Sequence, residues 1–293
     1  MSDVKISHSV FALPFALLAS CMAFYSPFCA QHSFNQFLVN LLFICVAMVT
    51  ARTAAMLSNR IFDRDIDATN PRTESRPLAA QQVDLSVYII ALAMMVIVFM
   101  VVALLFWLLN GNPWPFLLSA PILIWICAYG LFKRFTALCH IWLGASLALS
   151  VPAAALAVQP ESLQMSSVWL LAGMVLCWVA GFDVIYALQD VEVDRAEGLH
   201  SMPSRFGVGG AMWVSRSLHL AAVILLVMVW WEDARFGSIF LVGVVLATLL
   251  LVIEHLTVHR WGATRMAISF FMLNGVVSCL LGLTGIIDLL SAR

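Results

Sequence analysis

Long apolar runs separated by short polar connections repeat along the chain: Val10 to Ala30, Gln36 to Ser58, Leu85 to Leu109, Trp114 to Phe132, Leu138 to Val158, Val168 to Leu188, Met212 to Trp231, Phe236 to Ile253 and Met266 to Leu290. A helix needs about 20 mostly apolar residues to cross the hydrocarbon of a bilayer, and these runs match that length. The pattern predicts nine transmembrane helices in an all-α, polytopic membrane protein, a single domain over residues 1–293. Composition agrees: 63% of residues are hydrophobic, 11% are charged and mean hydropathy is +0.99, whereas a soluble domain carries roughly a quarter charged residues. The first run follows a short polar start containing Lys5 and lacks the cleavage pattern of a signal peptide, so it is expected to remain as the first span.

A formal net charge of −1 conceals strong segregation. The connection after helix two carries Arg60, Arg64, Arg72 and Arg76, that after four Lys133 and Arg134, that after six Arg195 and Arg205, and that after eight Arg260 and Arg265. The connections after helices one, three and five carry no Lys or Arg, and that after seven only Arg235. Short loops rich in Lys and Arg stay on the cytoplasmic side, so the amino terminus and the even connections are expected in the cytoplasm, at a bacterial inner membrane. Seven cysteines lie scattered through apolar runs without CxxC spacing and are read as packing residues.

Two of the even connections are long and acidic as well as basic. The first reads Asn59-Arg-Ile-Phe-Asp63-Arg-Asp65-Ile-Asp67, the second Asp183-Val-Ile-Tyr186-Ala-Leu-Gln-Asp190-Val-Glu192-Val-Asp194. An offset of 127 residues, the separation of Asp63 from Asp190, places Asp67 on Asp194 and helices one to five on five to nine. That suggests pseudo-repeats over about 9–135 and 136–262 plus a final helix, with the acidic segments facing each other. If helices two and six run on through these segments, Asn59, Asp63 and Asp67 share one face, as do Tyr186, Asp190 and Asp194. Like charges four residues apart repel, so a cation is expected between them. Carboxylates and an amide oxygen are hard ligands suited to Mg²⁺, which fills its remaining positions with water and phosphate oxygen. Arg64, Arg72, Arg76, Lys133, Arg134 and Arg205 are cations suited to a diphosphate held there. The competing reading, solvated loop ion pairs that only fix topology, suits Asp65 and Glu192, which lie off the shared faces.

These segments resemble the two aspartate-rich motifs of the UbiA superfamily of intramembrane prenyltransferases, NDxxDxxxD and DxxYxxxDxxxD. The resemblance extends over the chain through Arg52, through Asn70-Pro71-Arg72-Thr73 and Arg76-Pro77-Leu78, through Tyr129 with Lys133-Arg134-Phe135-Thr136, and through Gly181-Phe182-Asp183. It implies a helical bundle around a central cavity open sideways to lipid. It also implies that Asn59, Asp63, Asp67, Asp190 and Asp194 hold Mg²⁺ and a polyprenyl diphosphate, with Asp183 and Tyr186 in supporting roles. The implied reaction transfers the polyprenyl group to a small aromatic acceptor such as 4-hydroxybenzoate, in ubiquinone or menaquinone biosynthesis. Cations and metal stabilise the leaving diphosphate, and a dry, aromatic-lined pocket protects the allylic cation. Phe62, Tyr129, Phe132 and Phe182 are candidates to face it. Arg52 lies within an apolar run, where an ionisable group is a functional candidate by default, either for an acceptor carboxylate, for phosphate, or as a structural partner of Asp183. Two positions depart from the motifs: Arg60 stands where an Asp is usual, and Gly198-Leu199-His200-Ser201 replaces GxKS. The Asn-Arg pair resembles the branch that makes menaquinone by the futalosine route, which keeps a different aromatic acceptor open.

His255 and His259 share a helix face without an evident third zinc ligand and are read as an interfacial pair. There is no Rossmann or Walker glycine fingerprint, no basic patch for nucleic acid, and no feature that calls for an obligatory protein partner. A cation-coupled transporter is the main reading from another class, although the acids sit at the ends of spans and not at mid-membrane. A CDP-alcohol phosphotransferase would need one DG-containing acidic run, and an inert scaffold would leave the paired acidic segments without a purpose.

Overall fold

The computed structural model describes residues 11–29, 33–262 and 272–292. Val10, Ala30 and Met266, three of the expected span boundaries, lie outside them, as do Lys5 and Arg265. The described helices are α1 Leu13–Phe24, α2 Phe34–Phe62, α3 Arg64–Thr69, α4 Leu85–Asn110, α5 Trp114–Ala128, α6 Cys139–Ala148, α7 Ser150–Val158, α8 Ser166–Tyr186, α9 Val191–Ala196, α10 Met202–Glu232, α11 Ser238–Trp261 and α12 Asn274–Ser291. Eight helical segments among the described residues are long and apolar enough to cross a membrane, and α1 is a shorter apolar helix. The nine apolar runs of the sequence therefore appear as nine apolar segments, one of them short over its described length.

The outside of the bundle is greasy. Leu42, Ile90, Leu108, Ile124, Leu220 and Leu256 are each at least 60% exposed, which would be a liability in water and is the natural contact with lipid tails. Inside, Phe15, Leu18, Met22, Trp178, Phe240 and Leu281 are buried in a continuous core. Lipid supplies no hydrophobic push between helices, so close backbone approach over small residues becomes the main source of packing. Helices α8 and α10 meet this way: Ser215 donates to the Gly181 carbonyl at 2.8 Å, and a methyl group on Gly181 would lie 2.3 Å from the His219 ring.

One expected span is two helices. The run from Leu138 to Val158 breaks between α6 and α7, because Pro152 has no N–H for the carbonyl four residues earlier, that of Ala148. The chain is also pinned at the end of the bundle far from the acidic segments. There Gln36 donates to Asn110 at 2.5 Å and Asn110 to Asn40 at 2.6 Å, joining the start of α2 to the end of α4. Asp288 of α12 accepts from the backbone N–H groups of Gly237 and Phe240, both at 2.7 Å, and so satisfies donors that every helix start leaves over. Arg235, the only Lys or Arg in the odd connections, grips Asp233 through Nε at 2.7 Å and Nη2 at 2.6 Å and donates to the Met22 carbonyl at 2.9 Å. Ser167 donates to the same carboxylate at 2.9 Å. One carboxylate thereby ties the starts and ends of α1, α8, α10 and α11.

Burial alone would raise the Asp233 pKa, but the guanidinium of Arg235 and the Ser167 hydroxyl hold it below the ordinary carboxylate range. A depressed folded-state pKa gives stability that is present above the unfolded value, about 3.9, and is lost as pH falls through the folded one. Asp233→Asn is therefore expected to lower the thermal midpoint near pH 7, and its deficit against wild type to shrink as pH drops below about 4, measured by melting in detergent.

Candidate active site

Both acidic segments sit where a membrane helix gives way to a short one. Helix α2 ends at Phe62, Asp63 takes φ −94° and ψ 8°, and α3 follows over Arg64–Thr69. Helix α8 ends at Tyr186, a tight turn runs over Ala187–Asp190, Asp190 takes φ −108° and ψ 9°, and α9 follows over Val191–Ala196. The two aspartates thus share the sparsely populated bridge conformation, and α3 and α9 are superimposed by the same 127-residue offset. The expectation that α2 and α8 continue unbroken through the acids is corrected: each helix breaks at its motif. Spacing by four survives in the first segment through backbone bonds from Asp63 N to the Asn59 carbonyl at 2.9 Å and from Asp67 N to the Asp63 carbonyl at 2.7 Å.

The acids converge on one cavity of about 520 Å³, lined at one end by Asn59, Asp63, Asp67, Asp183, Asp190 and Asp194. Arg52, Arg72, Arg76, Tyr129, Lys133 and Tyr186 line the same end. From there it runs between α2, α4, α5 and α7 to Phe99, Ala103, Phe106, Leu118, Leu156 and Ala157, an entirely apolar tail.

Each of three acids is held by a cation. Lys133 Nζ lies 2.8 Å from Asp63 Oδ2. Arg76 Nη1 donates to both oxygens of Asp67 at 2.7 Å. Arg72 forks onto Asp190 through Nε at 2.8 Å and Nη2 at 2.5 Å, and its Nη1 donates to the Tyr186 hydroxyl at 3.0 Å. Burial would lower the Arg72 pKa, but the bonds to Asp190 and the charges around it raise it above the ordinary guanidinium value, so this cation is permanent. The segment after α3 delivers both arginines: Asn70 Oδ1 accepts from Arg72 N at 2.9 Å, Thr73 Oγ1 donates to the Asp67 carbonyl at 3.0 Å, and Asn70 Nδ2 reaches across to Asp190 at 3.1 Å. The first half of the chain thereby holds the acid of the second.

Among the described residues no three acid, histidine or cysteine side chains converge as a complete cage for a metal. The donor set nonetheless fits Mg²⁺, which takes one or two carboxylates and completes its shell with water and substrate phosphate. Asp63 is 2% exposed, and its Oδ1 is buried without a hydrogen-bond donor, with Arg134 Nη2 3.7 Å away. Such an oxygen is expensive to leave bare and is a ready metal ligand. Asn59, one turn before Asp63, lays its Oδ1 against Gly130, which has no side chain: a methyl group there would lie 2.1 Å from that oxygen.

Arg52 lines the cavity with Tyr129 as its electrostatic neighbour and makes no ion pair with a carboxylate among the described residues. The structural alternative for it, a pair with Asp183, is not formed, since Asp183 Oδ2 lies 2.7 Å from His140 Nδ1. Three expected phosphate cations lie elsewhere. Arg64 turns outward to the exposed Asp65 at 3.0 Å, because it follows Asp63 directly and falls on the opposite side of α3. Arg205 is exposed in the first turns of α10 and is absent from the lining. Arg134 donates to the Phe62 carbonyl and is absent from the lining, although its Nη2 lies 3.7 Å from Asp63 Oδ1. Of the four aromatic candidates, Tyr129 and Phe182 line the cavity, whereas Phe62 is 39% exposed and Phe132 stacks on Trp142. His255 meets His219 of α10 at 2.9 Å. Sequence reasoning passed over Gly130 and His140. For His140 the signal was present, an ionisable side chain inside an apolar run.

A bundle in a membrane, with acids and cations closing one end of a cavity and apolar walls closing the rest, defines a protein that handles an amphiphile with a charged head. The chain belongs to the UbiA prenyltransferase family, whose model matches residues 12–276; it is a multi-pass membrane prenyltransferase. It is 27% identical over 249 residues to a 4-hydroxybenzoate octaprenyltransferase of Francisella tularensis subsp. novicida, covering 85% of this chain and 84% of that protein. It is 30% identical over 223 residues to the 4-hydroxybenzoate octaprenyltransferase of Marinobacter nauticus, covering 75% and 73%. The apo structure of a UbiA homologue from Aeropyrum pernix K1 superimposes with a TM-score of 0.83 at 31% identity, covering 97% of this chain and 99% of that one. A UbiA homologue from Archaeoglobus fulgidus, solved with DMAPP and Mg²⁺, shares the fold with a TM-score of 0.68 at 18% identity, covering 97% of both chains.

Gly130→Ala is expected to leave folding intact while pushing the Asn59 amide aside. Misplacement of a reacting group by about 1 Å costs on the order of 100-fold in rate, so turnover should drop by about that factor, checked by steady-state kinetics alongside a melting curve.

Proposed function

We propose that the chain transfers a polyprenyl group from its diphosphate to a small aromatic acid bearing a ring hydroxyl, of the 4-hydroxybenzoate type, for ubiquinone or menaquinone biosynthesis. The observation that carries this reading is one cavity whose ion-paired mouth suits a diphosphate, whose apolar length suits an isoprenoid tail, and whose wall offers an arginine, Arg52, with no carboxylate among the described residues to neutralise it. The names of the curated relatives favour the 4-hydroxybenzoate type, and the homologue solved with DMAPP and Mg²⁺ favours a magnesium-bound diphosphate here.

Binding works by exchange of partners. Lys133, Arg72 and Arg76 pass from Asp63, Asp190 and Asp67 to the phosphate oxygens, and the released carboxylates, with Asn59 and Asp194, would hold Mg²⁺. Bound Mg²⁺ offsets the charge that builds on the departing diphosphate. The allylic C–O bond breaks with its electron pair on the diphosphate, while Tyr129 and Phe182 present ring faces to the carbon that becomes positive and the apolar walls keep water away. Arg52 orients the acceptor through its carboxylate. A ring carbon then bonds to the allylic carbon, and loss of its proton restores aromaticity. The 127-residue match of α3 with α9 supports an internal repeat that supplies one acidic segment from each half. The Lys and Arg distribution favours a cytoplasmic-side site in a bacterial inner membrane.

Purified protein supplied with radiolabelled polyprenyl diphosphates and a panel of aromatic acceptors tests the reading. Turnover should require Mg²⁺ and vanish with EDTA, and Asp63→Ala and Asp190→Ala should each lose at least about 100-fold, the scale of one lost charge-stabilising group. Full activity in both variants would remove these acids from the site, and preference for a different aromatic acceptor would assign the menaquinone alternative. Arg52→Met should raise KM for acids bearing a carboxylate much more than for an uncharged phenol of the same ring size.

A further inference from the structure

His140 stands in the first turn of α6, 3% exposed, and lines the cavity beside Asp183. Its two nitrogens are assigned by their neighbours. The backbone N–H of Met202, at the start of α10, points at Nε2 from 3.2 Å; an N–H can only donate, so Nε2 is the acceptor. The proton of the neutral ring is then on Nδ1, where it donates to Asp183 Oδ2 at 2.7 Å. A doubly protonated ring would leave the Met202 N–H facing another donor. Asp183 is thus a carboxylate with one oxygen fixed by histidine and the other without a hydrogen-bond donor among the described residues, on a side chain 22% exposed to the cavity.

The arrangement depends on close approach of α6 and α8. Gly144 lies one turn beyond His140 on the same face, and a methyl group on it would lie 2.4 Å from the Leu176 carbonyl and 3.2 Å from Ala180. Absence of that side chain lets the two antiparallel helices come near enough for His140 to reach Asp183.

We propose, on the basis of the function stated above, that His140 is a positioning residue: held as its Nδ1–H tautomer by the start of α10, it aims the free oxygen of Asp183 at the ring hydroxyl of the aromatic acceptor, so that Asp183 takes the hydroxyl proton as the ring attacks. Arg52 and Asp183 then face the acid group and the hydroxyl of one acceptor. The electron balance is simple. Once the diphosphate has left with the electrons of the broken C–O bond, the hydroxyl proton moves to Asp183, the oxygen lone pair feeds the ring, and the ring carbon bonds to the allylic cation. The product at that point is a neutral dienone. Its ring proton leaves to the diphosphate, Asp183 returns its proton to the oxygen, and the phenol is restored.

The test compares wild type, His140→Leu, His140→Gln, Asp183→Asn and the Leu/Asn double variant on 4-hydroxybenzoate and on ring-fluorinated analogues whose hydroxyls are progressively more acidic. Removing the group that orients a reactive side chain typically costs 10- to 100-fold. His140→Leu should therefore lower kcat by roughly 10- to 100-fold with KM for the prenyl diphosphate unchanged. The deficit should narrow as the hydroxyl acidifies, because a better acid needs less help. Gln, which can donate to Asp183 and accept from Met202, should recover most of the rate, and Leu should add nothing to Asp183→Asn. A deficit that is equal for every acceptor, or that adds to the loss in Asp183→Asn, would overturn the inference, as would a His140→Leu enzyme as fast as wild type. Melting curves identify a variant that is merely misfolded, in which case the Gln and Asn variants decide. If the wild type prenylates no hydroxylated aromatic acid, the function itself fails and the inference with it.

Discussion

Charge in a place with little water governs this molecule. Coulomb energies that are minor in bulk solvent grow several-fold where the effective dielectric falls, and an unpaired ion there is costly. The structure answers by neutralising acids with cations, within the first half of the chain (Lys133 with Asp63, Arg76 with Asp67) and across the two halves (Arg72 with Asp190). Those contacts also hold the segment after α3 against the turn before α9. Folding of the site end and preparation of the site for a charged ligand are therefore one event.

The far end of the bundle shows the same economy without any chemistry attached. Asp233 takes donors from α8 and from the connection between α10 and α11, Asp288 of α12 takes two from the start of α11, and the amides of Gln36, Asn40 and Asn110 close on one another. Hydrogen bonds between membrane helices are individually modest, but these lie at helix ends, where orphan backbone groups otherwise face lipid or headgroups. With that end fixed, the cavity can remain open along its length and the chain can stay broken between α6 and α7.

The sequence made the bundle legible because periodic apolar length is a strong signal and because acids are rare in such a chain. Asn59, Asp63, Asp67, Asp190 and Asp194 could be found from spacing alone, and they share one cavity. What spacing could not reveal was direction. Arg64 and Arg72 look alike in sequence, yet one follows a helix break and faces outward while the other is turned inward by an Asn70-centred turn. The breaks at Asp63 and over Ala187–Asp190 were hidden because the surrounding pattern is helical on both sides. Gly130 escaped for a related reason: its importance lies in the amide oxygen that a neighbour from another helix brings against it, and a linear pattern carries no record of such neighbours, whereas His140 was visible as an ionisable side chain in an apolar run and only its carboxylate partner was hidden.

The apolar tail of the cavity, walled by Phe99, Ala103, Phe106, Leu118, Leu156 and Ala157, has a consequence for supply. With the proposed substrate, both the donor and the product are lipids that need never enter the aqueous phase, so the relevant concentration is molecules per unit area of membrane. Diluting the bilayer with inert lipid would then slow the enzyme even at constant bulk concentration, and enlarging the aqueous volume would not.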